Sequence, residues 1–157
     1  MPFAFVATAA LVAFVALRRP SEPLTEQALR AAEARWRERG PTNYDLALEI
    51  GGGQEGAHEI QVREGRVTRM TTGGKPVPES VWAFWSVEGM FKFLAQELEN
   101  ARNPQRAHGV SDPAAVTLRV QFDADLGYPR YFLRHVTGRQ SQIWWGVTSL
   151  EPGPPTR

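Results

Sequence analysis

The feature that most limits what this chain can become is an order of segments that occurs twice: one amphipathic helical stretch, then three short stretches of alternating polarity. Residues 24–39 (LTEQALRAAEARWRER) are rich in helix formers and place Leu29, Ala32 and Trp36 on one stripe, with Gly40-Pro41 as the stop. Tyr44, Leu46, Leu48 and Ile50 then alternate with Asn43, Asp45, Ala47 and Glu49. That period of two predicts a strand with one buried face, broken at Gly51-Gly52-Gly53. Residues 58–63 and 66–71 flank Glu64-Gly65, a turn pair in which Gly accepts positive φ at little cost, so a hairpin is expected there.

The second round begins after a loop over residues 71–85 (TTGGKPVPESVWAFW). Ser86 is placed to cap a helix running to about residue 102, with Glu88 at the positive end of its dipole. Val87, Met90, Phe91, Leu94 and Leu98 recur at helical spacing as its core stripe. Beyond a polar turn region (NPQRAHGVSDP), Val116, Leu118, Val120 and Phe122 alternate with polar residues, Tyr131, Leu133 and His135 continue the pattern, and Ile143, Trp145 and Val147 follow. Short connections between amphipathic strands favour antiparallel pairing. The expected fold class is therefore α+β: an antiparallel sheet of about six strands with two helices on one face, in the order α-β-β-β-α-β-β-β. One domain over residues 24–150 is expected, and residues 151–157 (EPGPPTR) read as an extended, mobile, disordered tail.

Before the domain, residues 2–17 (PFAFVATAALVAFVAL) are an unbroken apolar run closed by Arg18 and Arg19. As a helix the run would span roughly 24 Å, slightly less than the ~30 Å hydrocarbon core, which fits a short membrane anchor or a signal core. No small-residue cleavage site follows it, so a retained single-pass anchor over residues 1–19, with a Pro-containing linker at 20–23, is the expectation. The basic pair after the run would keep the domain in the cytoplasm by the positive-inside rule.

The formal charge of +1, with both signs interleaved, gives no clustered basic face for a nucleic acid. Cysteine is absent, which removes disulfides, thiolate metal sites and N-terminal lipidation on Cys.

The stretches RWRERGPTNYDLALEI, IQVREGRVTRM, SVEGMFKFLAQEL and above all VTLRVQFDADLGYPRYF resemble the domain-of-unknown-function family 6174 over roughly residues 25–150. Its most specific element here is Phe122-Asp123-Ala124-Asp125-Leu126-Gly127-Tyr128-Pro129, supported by the spacing of Trp36, Pro41 and Tyr44. The resemblance implies a small exported bacterial protein, often membrane-attached, with its domain outside the cytoplasm, contrary to the charge rule. It supplies no catalytic residues. The chain lacks the Cys pair that many such members carry near the first strand, here occupied by residues 46–53, which excludes a redox or metal role tied to it.

No arrangement of residues specifies a reaction. Asp123 and Asp125 can accept backbone amides in a turn, Gly127 can take positive φ, and Pro129 fixes φ where the next strand starts. A cation held by the two carboxylates would want six or more oxygens, and the EF-hand spacing is missing. His58, His108 and His135 share no ligand spacing, the glycines of residues 51–56 (GGGQEG) lack a following Lys-Ser/Thr, and no G-x-S-x-G is present. No catalytic residue, cofactor or metal is therefore assigned. The remaining signal is aromatic: Trp82, Phe84 and Trp85 precede the second helix, and the neighbours Trp144 and Trp145 must face opposite sides of the last strand. Trp145 is expected in the core. Trp144 is expected either beneath Trp82 or Trp85 or in a partner-binding patch, with Asp123, Asp125, Gly127, Tyr128 and Pro129 as a structural or interaction hairpin.

Two functions follow as expectations. One is a non-enzymatic, membrane-anchored cell-envelope module that binds a protein or small ligand. The alternative is an envelope hydrolase or other enzyme with its site among Asp123, Asp125, His135 and nearby Arg130 or Arg134.

Overall fold

The computed structural model describes residues 21–51 and 56–155. The apolar run at residues 2–17 lies outside them. Eight strands form one antiparallel sheet: β1 (Glu22–Pro23), β2 (Tyr44–Gly51), β3 (Gly56–Arg63), β4 (Arg66–Thr72), β5 (Lys75–Pro76), β6 (Val116–Phe122), β7 (Pro129–Val136) and β8 (Ser141–Pro152). Their spatial order is β1-β6-β7-β8-β2-β3-β4-β5. Helices α1 (Glu26–Arg39) and α2 (Val87–Arg102) pack on one face, and a short α3 (Pro104–His108) follows within the expected polar turn region.

The repeated order has a spatial counterpart. Each long helix precedes a three-stranded meander, β2-β3-β4 or β6-β7-β8, and the two meanders join where β2 pairs antiparallel with β8. Thr25 caps α1 by accepting the Ala28 amide at 3.2 Å, and Ser86 caps α2 by accepting that of Gly89 at 3.0 Å. Such caps contribute about 1 kcal/mol each by satisfying amides that have no partner within the helix. The predicted stripes are buried: Leu29, Ala32 and Trp36 on α1, and Val87, Met90, Phe91 and Leu94 on α2. They meet the inner face of the sheet at Tyr44, Leu46 and Leu48, at Ile60 and Val62, and at Trp145 and Val147. The turn at Glu64 (φ 53°) and Gly65 (φ 72°) has the doubly left-handed geometry that matches the twist of a two-residue hairpin.

Five expectations need correction. The sheet has eight strands, because two-residue strands close both edges. One of these, β1, occupies part of the expected linker, pairing Glu22 with Val120 and Pro23 with Arg119. The other, β5, lies in the loop before α2, which also forms a 3₁₀ helix over Glu79–Phe84. Short edge strands carrying Pro leave little free backbone for another chain to pair with.

In β7 the buried residues are Pro129, Phe132 and Val136, so Tyr131, Leu133 and His135 lie on the face away from the helices. A register shift between Gln121 and Phe122 is the cause: Gln121 pairs with Tyr131 but Phe122 with Pro129. One extra residue at a bulge moves every later side chain to the other face.

The expected tail is also held at its start. β8 continues through Glu151 and Pro152, which pair with Asp45 and Tyr44. The Gly153 amide donates to the Asn43 carbonyl at 2.8 Å, and Asn43 Nδ2 donates to the Pro154 carbonyl at 3.0 Å. These residues carry no apolar pattern because backbone pairing beside β2, and not core burial, fixes them.

Candidate functional site

Residues 123–129 form a closed turn at the end of β6. Asp123 Oδ1 accepts the amides of Asp125 at 3.0 Å and Leu126 at 2.9 Å, and the Asp123 carbonyl accepts the Gly127 amide at 3.0 Å. The Asp123 amide donates to the Tyr128 carbonyl at 2.8 Å, which closes the hairpin. Gly127 has φ 85°, and a Cβ there would lie 2.3 Å from the Ala32 carbonyl and 2.9 Å from Arg35 Cβ on α1. The hairpin therefore rests against α1 with backbone on backbone. Tyr128 meets the Trp36 ring edge-on at 6.3 Å, and burial together with the Asp123 charge raises its phenol pKa.

This arrangement uses the Asp123 carboxylate to hold the turn. Asp125 is exposed, and Arg130 approaches Asp123 only at 3.9 Å. Arg134 and His135 face opposite sides of β7: His135 is exposed on the open face, while Arg134 makes a part-buried ion pair with Glu97 on α2, Nη1 to Oε1 2.9 Å and to Oε2 3.1 Å. The structure does not bring together the residues of the expected enzymatic site.

A second carboxylate organises the packing of the helices. Glu88, in the first turn of α2, accepts Trp36 Nε1 at 2.9 Å on one oxygen and the Tyr44 hydroxyl at 3.2 Å on the other. The Tyr44 oxygen in turn accepts the Val87 amide at 2.8 Å. Tyr44 is fully buried, and burial, with the Glu88 charge beside it, pushes its phenol far above the ordinary tyrosine range. Neither Glu88 as an acceptor nor the Glu97–Arg134 pair was predicted. The signal for Glu97 was its spacing, three residues after Leu94 on the buried stripe.

The aromatic residues shape an apolar cavity of about 510 Å³ beside the paired β2 and β8 strands. Ile50 and Gly51 at the end of β2, and Ile143, Trp144 and Trp145 at the start of β8, form one wall. Val81, Phe84 and Trp85 of the 3₁₀ segment, with Met90 and Phe93 of α2, form the other. Among the described residues, none that lines it is charged. Trp145 is 3 % exposed, as expected of a core residue, whereas Trp144 is half-buried.

Among the described residues neither Trp82 nor Trp85 stacks on Trp144. Trp82 Nε1 donates to the Val77 carbonyl at 2.9 Å, and Trp85 lies parallel to the His58 ring at 6.3 Å. The Trp144 indole instead covers Gly51, where a Cβ would lie 2.3 Å from Nε1. Phe84, 57 % exposed, is the large apolar side chain at the mouth. His58 Nδ1 lies 2.7 Å from Thr72 Oγ1 behind this wall. Among the described residues no group of three or more His, Asp or Glu is placed to hold a metal ion.

Fold and cavity define a small α+β domain with helices on one face of a single antiparallel sheet and an apolar hollow beside β2 and β8. The chain matches the model of a family of unknown function, DUF6174, over residues 28–133, and it belongs to that family. The matched span contains the 123–129 hairpin and the Trp36, Tyr44 and Glu88 cluster, and it stops before β8 with Trp144 and Trp145. No curated protein matches the chain.

Proposed function

We propose that this chain is a non-enzymatic binding module, attached to a membrane through residues 2–17, that takes an uncharged apolar small molecule or acyl group into the cavity between the 3₁₀ segment and the β2 and β8 ends. The observation that carries the reading is the cavity itself: about 510 Å³, lined by aliphatic and aromatic side chains, with Phe84 exposed at its mouth. Small-ligand pockets commonly measure about 300–1,000 Å³ and are mainly apolar. Transfer of an apolar body from water contributes roughly 25 cal/mol per Å² removed, so shape and apolarity suffice for affinity without a charged partner. The apolar run before the domain supports the membrane attachment, and the resemblance to exported proteins supports a place at the cell envelope. Among the described residues no helix is long and apolar enough to cross a membrane, so attachment rests on residues 2–17.

The test is titration with N-phenyl-1-naphthylamine, an uncharged dye that fluoresces in apolar surroundings. The wild type is expected to give saturable, single-site enhancement, and Val81→Trp, which places an indole in the cavity wall, to weaken it by about tenfold or more. Circular dichroism and a urea midpoint would establish that the variant is folded. Unsaturable enhancement, or equal affinity in a folded Val81→Trp protein, would overturn the reading.

A further inference from the structure

The five tryptophans divide by what their indole N–H groups meet. Trp36 Nε1 donates to Glu88 Oε1 at 2.9 Å and Trp82 Nε1 to the Val77 carbonyl at 2.9 Å, and neither side chain lines the cavity. The three that line it, Trp85, Trp144 and Trp145, have no hydrogen-bond acceptor among the described residues. Trp145 is the informative member, because at 3 % exposure an indole N–H ordinarily has a partner. Among the described residues its Nε1 is neither bonded nor sealed from solvent, so the N–H meets space that a bound molecule can occupy. Trp144 holds its Nε1 over Gly51, itself a lining residue.

The cavity wall offers these donors almost nothing. Its other side chains are aliphatic or phenyl, apart from Met90, whose thioether is a weak acceptor. Water can serve the N–H groups while the cavity is open, but an apolar body that fills it expels that water. A bare hydrocarbon would then leave the donors unpaired, at about tenfold in affinity for each. An anionic acceptor would meet no cation among the described lining residues, and a hydroxyl would bring a donor of its own with no acceptor to receive it.

We infer that the cavity selects neutral molecules that carry a carbonyl oxygen on an apolar body, a ketone or an ester, with the buried Trp145 N–H as the principal donor and those of the half-buried Trp85 and Trp144 beside it. The inference rests on the reading of this cavity as a binding site and narrows its ligand to one that accepts hydrogen bonds and donates none.

Three naphthalenes of similar shape test it by displacing N-phenyl-1-naphthylamine from the wild type: 2-ethylnaphthalene has no acceptor, 2-acetylnaphthalene is a ketone and methyl 2-naphthoate an ester. Transfer from water favours the hydrocarbon, so apolarity alone would let it displace the dye at roughly tenfold lower concentration than either carbonyl compound. At least one carbonyl compound is expected instead to act at the same concentration or lower, and the better of the two assigns the ligand to the ketones or the esters. In a ¹H–¹⁵N spectrum the Trp145 indole proton is expected to move downfield with that compound and not with 2-ethylnaphthalene. Trp145→Phe, shown by its urea midpoint to be folded, is expected to weaken the carbonyl compound by about tenfold and the hydrocarbon by no more than about twofold. If the dye binds saturably, a tenfold preference of the wild type for 2-ethylnaphthalene, or no downfield shift at Trp145, would overturn the inference and leave the cavity as a binding site. Absence of saturable dye binding would overturn both.

Discussion

Glu88 is the residue on which the meeting of the two long helices turns. It sits in the first turn of α2, where the helix dipole favours a carboxylate, and from there it accepts donors from α1 and β2. Tyr44 completes the arrangement by passing the Val87 amide into the same cluster. The Tyr44 phenol is held above its ordinary value of about 10 first by burial and second by the Glu88 charge. Its contribution to stability is therefore whole below about pH 10 and declines as the pH rises from there towards the native-state value, because the unfolded chain loses the proton first. The unfolding free energy is expected to fall above about pH 10, and Tyr44→Phe to make that fall shallower by up to about 1.4 kcal/mol per pH unit. Urea unfolding of both proteins from pH 8 to 11 checks this. Tyr128 and Tyr131, also raised, keep the slope from vanishing in the variant.

The hairpin over residues 123–129 shows how an element can be read from sequence and still lack its context. Asp123, Gly127 and Pro129 were recognisable as turn chemistry, since each acts through its own backbone or its near neighbours. The docking of Gly127 against Ala32 was not, because nothing in a local pattern reports a contact between residues so far apart in the chain. Gly127→Ala is therefore expected to cost more than Gly65→Ala. Both require positive φ, at roughly 1–2 kcal/mol, but only at position 127 would the added methyl strike a carbonyl, whose displacement adds about 1–3 kcal/mol. Midpoints of chemical denaturation decide between them, and equal losses would mean that the hairpin is free of α1.

The same limit explains the rest of what sequence reading missed. Helix stripes and the β2 and β6 faces were legible because burial repeats with the local period. The inversion of β7 arose from one bulge residue, and the extension of β8 through Pro152 arose from backbone pairing, neither of which leaves a hydropathy signal. The aromatic residues were legible as a concentration, and Trp145 as core, but their assembly with Ile50, Met90 and Phe93 into a cavity depends on where three separate elements end.

At the scale of the whole molecule, the helices, the two meanders and the short edge strands leave two unlike features: a satisfied, tightly docked turn after β6 and an apolar hollow walled by indoles beside β2 and β8. Binding at that hollow is the central claim, and the indole N–H signals of the five tryptophans test it directly. In a ¹H–¹⁵N spectrum recorded with increasing N-phenyl-1-naphthylamine, the signals of Trp85, Trp144 and Trp145 are expected to shift together and saturate, because their side chains line the cavity. Those of Trp36, bonded to Glu88, and Trp82, bonded to Val77, are expected to stay. Shifts led by Trp36, or no saturable shift at Trp85 and Trp144, would contradict the account.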